Sequence, residues 1–275
     1  MRYCRLFFLR VLFGTSIAIF VTLNGNAETT VFKIGGTGAA LATMAIVGNA
    51  YSATRTDVTV RVLPSLGSGG GIRALQAGSL DLSLSARPLK ADERAAGLEA
   101  IEYGVTAMVF AGNTESGPSN LTDAQIVRMY GADNPLWRNG ERVRVILRPN
   151  TETDTRTLKD NIAGLSAVYE NARTIPGVPT AYNDQENADL LARIPGSFGS
   201  LSLCQLISEE RSLKVFSLNG VTANLATIKD GTYPITKSFY VVFPAEKRET
   251  TREFIRFLLS PEGRQILAGN GVLSE

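Results

Sequence analysis

The sequence predicts an α/β fold built as two domains joined by a hinge, with a cleft between them. Three observations lead there. Short apolar runs alternate with helical patterns through residues 31–84, the order that builds a parallel or mixed sheet covered by helices. Two passages rich in Gly, Ser and Asn, near 111 and near 197, cut the chain into three pieces. Two glycine-led turns, at 35–41 and 67–72, stand directly between a strand and a helix.

The elements follow in order. Residues 1–27 are read apart from the fold. Arg2, Arg5 and Arg10 precede an apolar run at 11–23, and Gly25-Asn26-Ala27 places small residues ahead of a cut before Glu28. That is the layout of a secretory signal peptide. The run is short and polar beside the roughly 20 apolar residues of a membrane span. Cys4 lies ahead of the run, out of place for the acylated cysteine of a lipoprotein. A strand is expected at 31–34 and a helix at 39–51; valines 58, 60 and 62 alternate with polar residues, as in a strand. A helix at 71–77, a strand at 80–84 and an apolar strand at 105–110 come next.

Residues 111–120 (AGNTESGPSN) read as a linker. Thr122 caps a helix to about 130, followed by a strand at 143–147, helices at 155–162 and 185–194, and the glycine-rich passage 196–199. Strands at 214–218 and 239–243, a helix at 250–259 and a last helix restarted by Ser260-Pro261 complete the chain. The simplest division makes 28–111 and 199–275 one discontinuous domain and 112–198 an insert. Two crossovers of this kind form a hinge, and the cleft beside it is a natural ligand site.

Composition narrows the chemistry. The chain has no histidine, which excludes Ser-His-Asp and Cys-His nucleophiles and His-ligated zinc. Past the first 27 residues Cys204 is the only cysteine, so no internal disulfide forms there. Without the three N-terminal arginines the formal charge of +2 becomes −1, a balance with no pull towards nucleic acid. No metal-ligand spacing and no cofactor motif is present. The first glycine turn has Leu41 where a dinucleotide fingerprint needs its third glycine.

The glycine turns suit anions. A helix start presents unpaired N–H groups and partial positive charge, and glycine lets that backbone come close. The alternative, an ordinary strand-to-helix turn, stays open for each turn alone. A third element, Arg148-Pro149-Asn150-Thr151-Glu152-Thr153-Asp154-Thr155-Arg156, follows a strand and precedes a helix. An arginine there can grip an oxyanion through paired N–H bonds, or serve as a surface ion-pair partner. Tyr130, Trp137, Phe198 and Tyr240 are expected mostly in the core, and Cys204 as a small buried hydrophobe.

These segments, in this order, are GGTGAAL, GSGGGI, GSLDLSLSARPLKADE, LTDAQIVRMYGADNPLW, RPNTETDTR, GSFGSLSL, GTYPITKSFYVVF and FIRFLLSPEGRQILAGNGVL. The chain resembles the periplasmic phosphate-binding proteins of ABC transporters, with the type II periplasmic-binding-protein fold. The resemblance implies a periplasmic monomer, without catalysis, that captures phosphate or a similar small oxyanion for an ABC permease in the inner membrane. It carries the ligand contacts to Ser68, to Arg148, to the first-turn pair Ala40 and Leu41, and to Thr153, Asp154 and Thr155 in an altered Ser-Gly-Thr loop. Gly38, Gly69, Ser85 and Arg87 are flanking candidates. The family's acid is missing, because Ala86 stands at its place. Weaker discrimination of phosphate from sulfate, or a shift to another oxyanion, is therefore expected, with Asp154 the one nearby residue able to restore the acceptor. A sensor or surface module for another anion, and a carboxylate-based hydrolase using Asp81, Asp154, Asp184 or Glu186, are the alternatives.

Overall fold

The computed structural model describes residues 29–115, 117–131, 135–246 and 248–275. The proposed signal peptide and Cys4 lie outside the described residues. Nine strands and eleven helices are described, joined by one continuous network of strand pairing.

The first sheet has β2 (Val58–Val62), β1 (Thr30–Gly36), β3 (Leu82–Ser85), β9 (Thr236–Pro244) and β4 (Leu98–Gly112) in that order. The β1 pairings are parallel and those of β9 antiparallel. Helices α1 (Leu41–Ala53), α2 (Gly67–Gln76), α10 (Glu249–Leu258) and α11 (Pro261–Gly269) belong with this sheet. Ser260 caps α11 by accepting from Gly263 N–H, with Pro261 at the first helical position. The core here holds Phe32, Ile34, Met44, Leu84, Phe239, Val241 and Phe254, all buried.

The second lobe is built on the far end of β4. Residues 108–111 of that strand pair with β7 (Ser197–Ser202), and 110–112 also with β8 (Lys214–Leu218). Two short strands, β5 (Asn120–Leu121) and β6 (Arg144–Val145), extend the pairing. Helices α4 (Asp123–Gly131), α5 (Thr153–Asn161), α6 (Leu165–Thr174) and α7 (Asp184–Arg193) cover it. Its core stacks Phe110 on Phe198 and Trp137 on Phe216, with Tyr130 beside Tyr169. Tyr130, Trp137 and Phe198 are thus core residues, while Tyr240 is half-buried. Leu201, Phe216, Leu218, Tyr233 and Ile235 also pack in this second cluster, although the sequence reading places 199–235 with the discontinuous domain. Three short helices complete the chain: α3 (Ala91–Ala95), α8 (Leu203–Ser208) and α9 (Leu225–Lys229). None of the described helices is long and apolar enough to cross a membrane.

Two expectations change. The passage 196–199 is not a flexible linker, because Ser197 to Ser202 form a fully buried strand against β4. The linker at 111–120 begins later, since β4 runs to Gly112.

One glycine sets how the first sheet closes. Gly36, at the end of β1, has φ +138°, and a Cβ there would lie 2.1 Å from Leu84 O. Gly36→Ala therefore combines a backbone strain of about 1–3 kcal/mol with overpacking of similar size. A loss of about 2–5 kcal/mol is expected in urea unfolding; a change below about 1 kcal/mol would show that β1 and β3 adjust freely.

Candidate functional site

The first glycine turn is a single 3-10 turn, Gly38–Ala40, leading into α1. Ala40 N–H donates to Thr37 O at 3.3 Å, and Leu41 N–H donates to Gly38 O. The two amides expected to hold a ligand are thus spent inside the turn, because its i→i+3 bonds claim them. The Ala39 amide instead faces the carboxylate of Asp184. Gly38 is required by this approach. A Cβ there would lie 2.6 Å from Asp184 Oδ2, 2.7 Å from Gln185 Oε1 and 2.8 Å from Ser65 Oγ.

The second turn is itself the first turn of α2, which starts at Gly67 rather than at 71. Its leading N–H groups have no intrahelical acceptor, as at any helix start. Ser68 Oγ accepts from Ala86 N–H at 2.9 Å, so its hydroxyl proton remains available to donate. Gly69 meets only the tip of Arg73 at its Cβ position. A Cβ on Gly71 would reach Gly36 Cα at 2.6 Å, so α2 lies directly on β1 and the two turns share one edge of the sheet. Ser85 and Arg87 do not join this edge's donors. Ser85 Oγ donates to Arg87 O, and the Arg87 guanidinium forms a bidentate pair with Glu93 at 2.6 and 2.8 Å.

Arg148 comes from the second lobe, just past the bridge between Leu147 and Thr180. It is 4% exposed, so it is not a surface ion-pair residue. Its backbone N–H donates to Tyr169 Oη at 2.8 Å, and its carbonyl accepts from Arg173 Nη2. The guanidinium reaches Asp184 Oδ1 at 3.1 Å and Glu152 Oε2 at 3.3 Å. Among the described residues Arg148 Nε has no partner. Thr153 opens α5, with buried Asp154 and Thr155 behind it. Both oxygens of Asp154 accept from Lys237 Nζ, at 2.8 and 2.9 Å.

A family model described as a PBP superfamily domain matches residues 24–262. The chain belongs to the PBP superfamily. Its relatives include the phosphate-binding protein PstS 2 of Streptococcus pneumoniae, 26% identical over 128 residues, 46% of this chain and 44% of that protein. The matched stretch is thus under half the length of that relative. The phosphate-binding protein PstS of Borreliella burgdorferi is 21% identical over 214 residues, 75% of this chain and 77% of that one. A putative phosphate ABC transporter substrate-binding protein from Clostridium perfringens, solved with bound phosphate, superposes with a TM-score of 0.76 at 19% identity, covering 90% of this chain and 100% of that one. That likeness shows the fold.

Within this PBP superfamily frame the site is a compact set of buried charges. Burial works to raise the Asp184 carboxyl, but the charges of Arg148 and Lys237, with bonds from Arg148 and the Ala39 amide, outweigh it and hold the group below the carboxylate range. Burial works to lower Lys237, and the charges of Asp154 and Asp184 outweigh that and raise it. Glu152 is pushed up, by desolvation first and then by Asp184 and Asp154. Sequence reasoning passed over Lys237 as a site residue. The signal was present: 237, 239, 241 and 243 share the inward parity of β9, and a lysine stands with Phe, Val and Phe. Asp184 stood out only as an acid for the hydrolase alternative, since an acid in the first turn of a helix is ordinary.

Lys237→Met leaves Asp154 buried without its cation. An unfolding loss of about 3–5 kcal/mol is expected, and Lys237→Met with Asp154→Leu should recover most of it; equal losses in both variants would show the pair is not coupled. The Arg87–Glu93 pair makes a separate acid prediction. Hydrogen bonding from Arg87 holds Glu93 at about 2, below its usual 4.5. A depressed carboxyl adds stability above its unfolded pKa and loses it as pH falls. Wild type should therefore lose stability more steeply between pH 4.5 and 2 than Arg87→Ala does; parallel curves would show that the pair contributes nothing.

Proposed function

We propose that this chain is an extracytoplasmic receptor that captures phosphate, or an oxyanion of the same shape, between its two lobes and hands it to an ABC permease. The observation that carries the reading is Arg148. It is a guanidinium buried at a strand end, with one unpaired buried N–H, facing a lobe whose glycine turns begin helices. Charge-assisted bonds of about 1.5–3 kcal/mol each suit such a ligand. Ser68 and the first-turn amides of α2 supply the donors of the opposite lobe. Beside this junction opens a cavity of about 570 Å³, with Leu41, Ser65, Asn183 and Gln185 among its walls. The proposed role is binding without catalysis.

Export follows from the charge and apolar pattern of residues 1–27. The proposed hinge runs where the chain passes from one core to the other, in β4 and at the start of β9. Ligand discrimination follows from the acids present. Ala86 gives no acceptor, and Asp154 is committed to Lys237.

Isothermal titration with inorganic phosphate and with sulfate tests the reading. Wild type should bind phosphate, and Arg148→Ala should weaken it by about 2–5 kcal/mol, the cost of removing one partner of a buried charged contact. Arg148→Lys should recover only part, because an ammonium cannot make the paired planar contact. Phosphate and sulfate both failing to bind wild type would overturn the reading, and undiminished binding by the alanine variant would remove Arg148 from the site.

A further inference from the structure

The junction where an oxyanion would be gripped already holds an anion, and it belongs to the chain. Asp184 begins α7, whose N-cap is Asn183, accepting from Glu186 N–H. Its carboxylate is in contact with both lobes. On one side it accepts from Arg148 Nη1 at 3.1 Å. On the other it faces the Ala39 amide and sits within the space left by the missing side chain of Gly38. Neighbouring bonds repeat the link: Gln185 Nε2 donates to Gly38 O at 3.0 Å. The carboxylate oxygens thus satisfy the donors that a ligand oxyanion would satisfy, an arginine from one lobe and a glycine turn from the other.

The cluster holds two cations, Arg148 and Lys237, against three carboxylates, Asp154, Asp184 and Glu152. A further anion added to that set would be buried against an excess of like charge, which is strongly unfavourable. Asp154 keeps Lys237 through two bonds, whereas Asp184 has a single bond to Arg148 of its own lobe and meets the other lobe at the Ala39 amide, which it leaves when the lobes part. The vacated place would offer buried donors that have no partner among the described residues, Arg148 Nε and Ser65 Oγ.

We propose that Asp184 is a built-in counter-anion that holds the two lobes together without ligand and must be displaced by an incoming oxyanion. Asp184 thereby sets affinity: binding is weakened by the fraction of molecules in the self-occupied state. The ligand part of this proposal rests on the oxyanion reading above; the lobe-closing part does not.

The test uses Asp184→Asn, which keeps shape and removes charge, and Gly38→Ala, which keeps the charge and fills its seat. Small-angle scattering of the protein without ligand should give a larger radius of gyration for both variants than for wild type. Inorganic phosphate should bind Asp184→Asn about tenfold more tightly or better, the gain from releasing a self-occupied state populated at about 90%. Two outcomes overturn the proposal: radii unchanged from wild type in both variants, or phosphate bound equally or more weakly by Asp184→Asn while wild type binds it. If no form binds phosphate or sulfate, the oxyanion reading fails, and the radii alone decide whether Asp184 joins the lobes. Should Asp184→Asn fail to fold, Asp184→Ser carries the binding readout and Gly38→Ala the scattering readout, with the same directions expected.

Discussion

Two cations held out of water govern the middle of this molecule. Arg148 and Lys237 are each about 5% exposed or less, and an isolated buried charge costs several kcal/mol unless it is paired and hydrogen-bonded. The pairing comes from different parts of the chain. Lys237, at the start of β9, takes Asp154 from α5, and Arg148 takes Glu152 from its own loop and Asp184 from α7. Helix positions, the glycine at 38 and the buried lysine make sense together only once these partners are counted. Remove one charge and the others become liabilities, so the cluster behaves as a unit rather than as separate contacts.

The cluster also ties local backbone choices to long-range structure. Gly38 has no conformational need for glycine in the left-handed sense; it is demanded by the oxygens packed over it. Cys204 shows the same crowding from below. Its thiol donates to Ala39 O at 3.1 Å, and burial pushes its pKa up to about 11. The turn is therefore braced on both sides, by a thiol of α8 and by Asp184 and Gln185 of α7. The outer groove lined by Met129, Ile175 and Pro179 takes no part in this arrangement.

Much of the fold was legible because strand parity and glycine punctuation are local signals. Strands 58–62 and 214–218 have the expected bounds, and the α/β class follows from their order. The long strand β4 was read only from 105 onwards. Glu99, Glu102 and Gly104 interrupt the apolar pattern, and their place in the sheet is set by pairing with β9 instead. Helix α6 was missed because Gly164, not a Ser, Thr, Asp or Asn, precedes it, in the left-handed conformation. Of the site, Arg148, Ser68 and the glycine turns were legible by type and spacing. The ion pairs were not, because Asp184 lies 36 residues from Arg148 and Asp154 lies 83 from Lys237. The backbone donors of Ala40 and Leu41 were misjudged for a subtler reason: a 3-10 turn and an α-helix start look alike in sequence but leave different amides unpaired.

The strand β4 belongs to both lobes, pairing with β9 at its first end and with β7 and β8 at its second. Mechanically this makes it a torsion bar. A ladder of hydrogen bonds resists sliding, because a shift by one residue would turn every inward side chain outward. It resists twisting far less, since strands are twisted already. The register breaks once between β4 and β9, at Glu102/Gly104, beside the passage from one core to the other. A rotation of one lobe against the other would therefore be borne by the twist of a shared strand, where the sheet yields, and not by slippage of its ladder, where it does not.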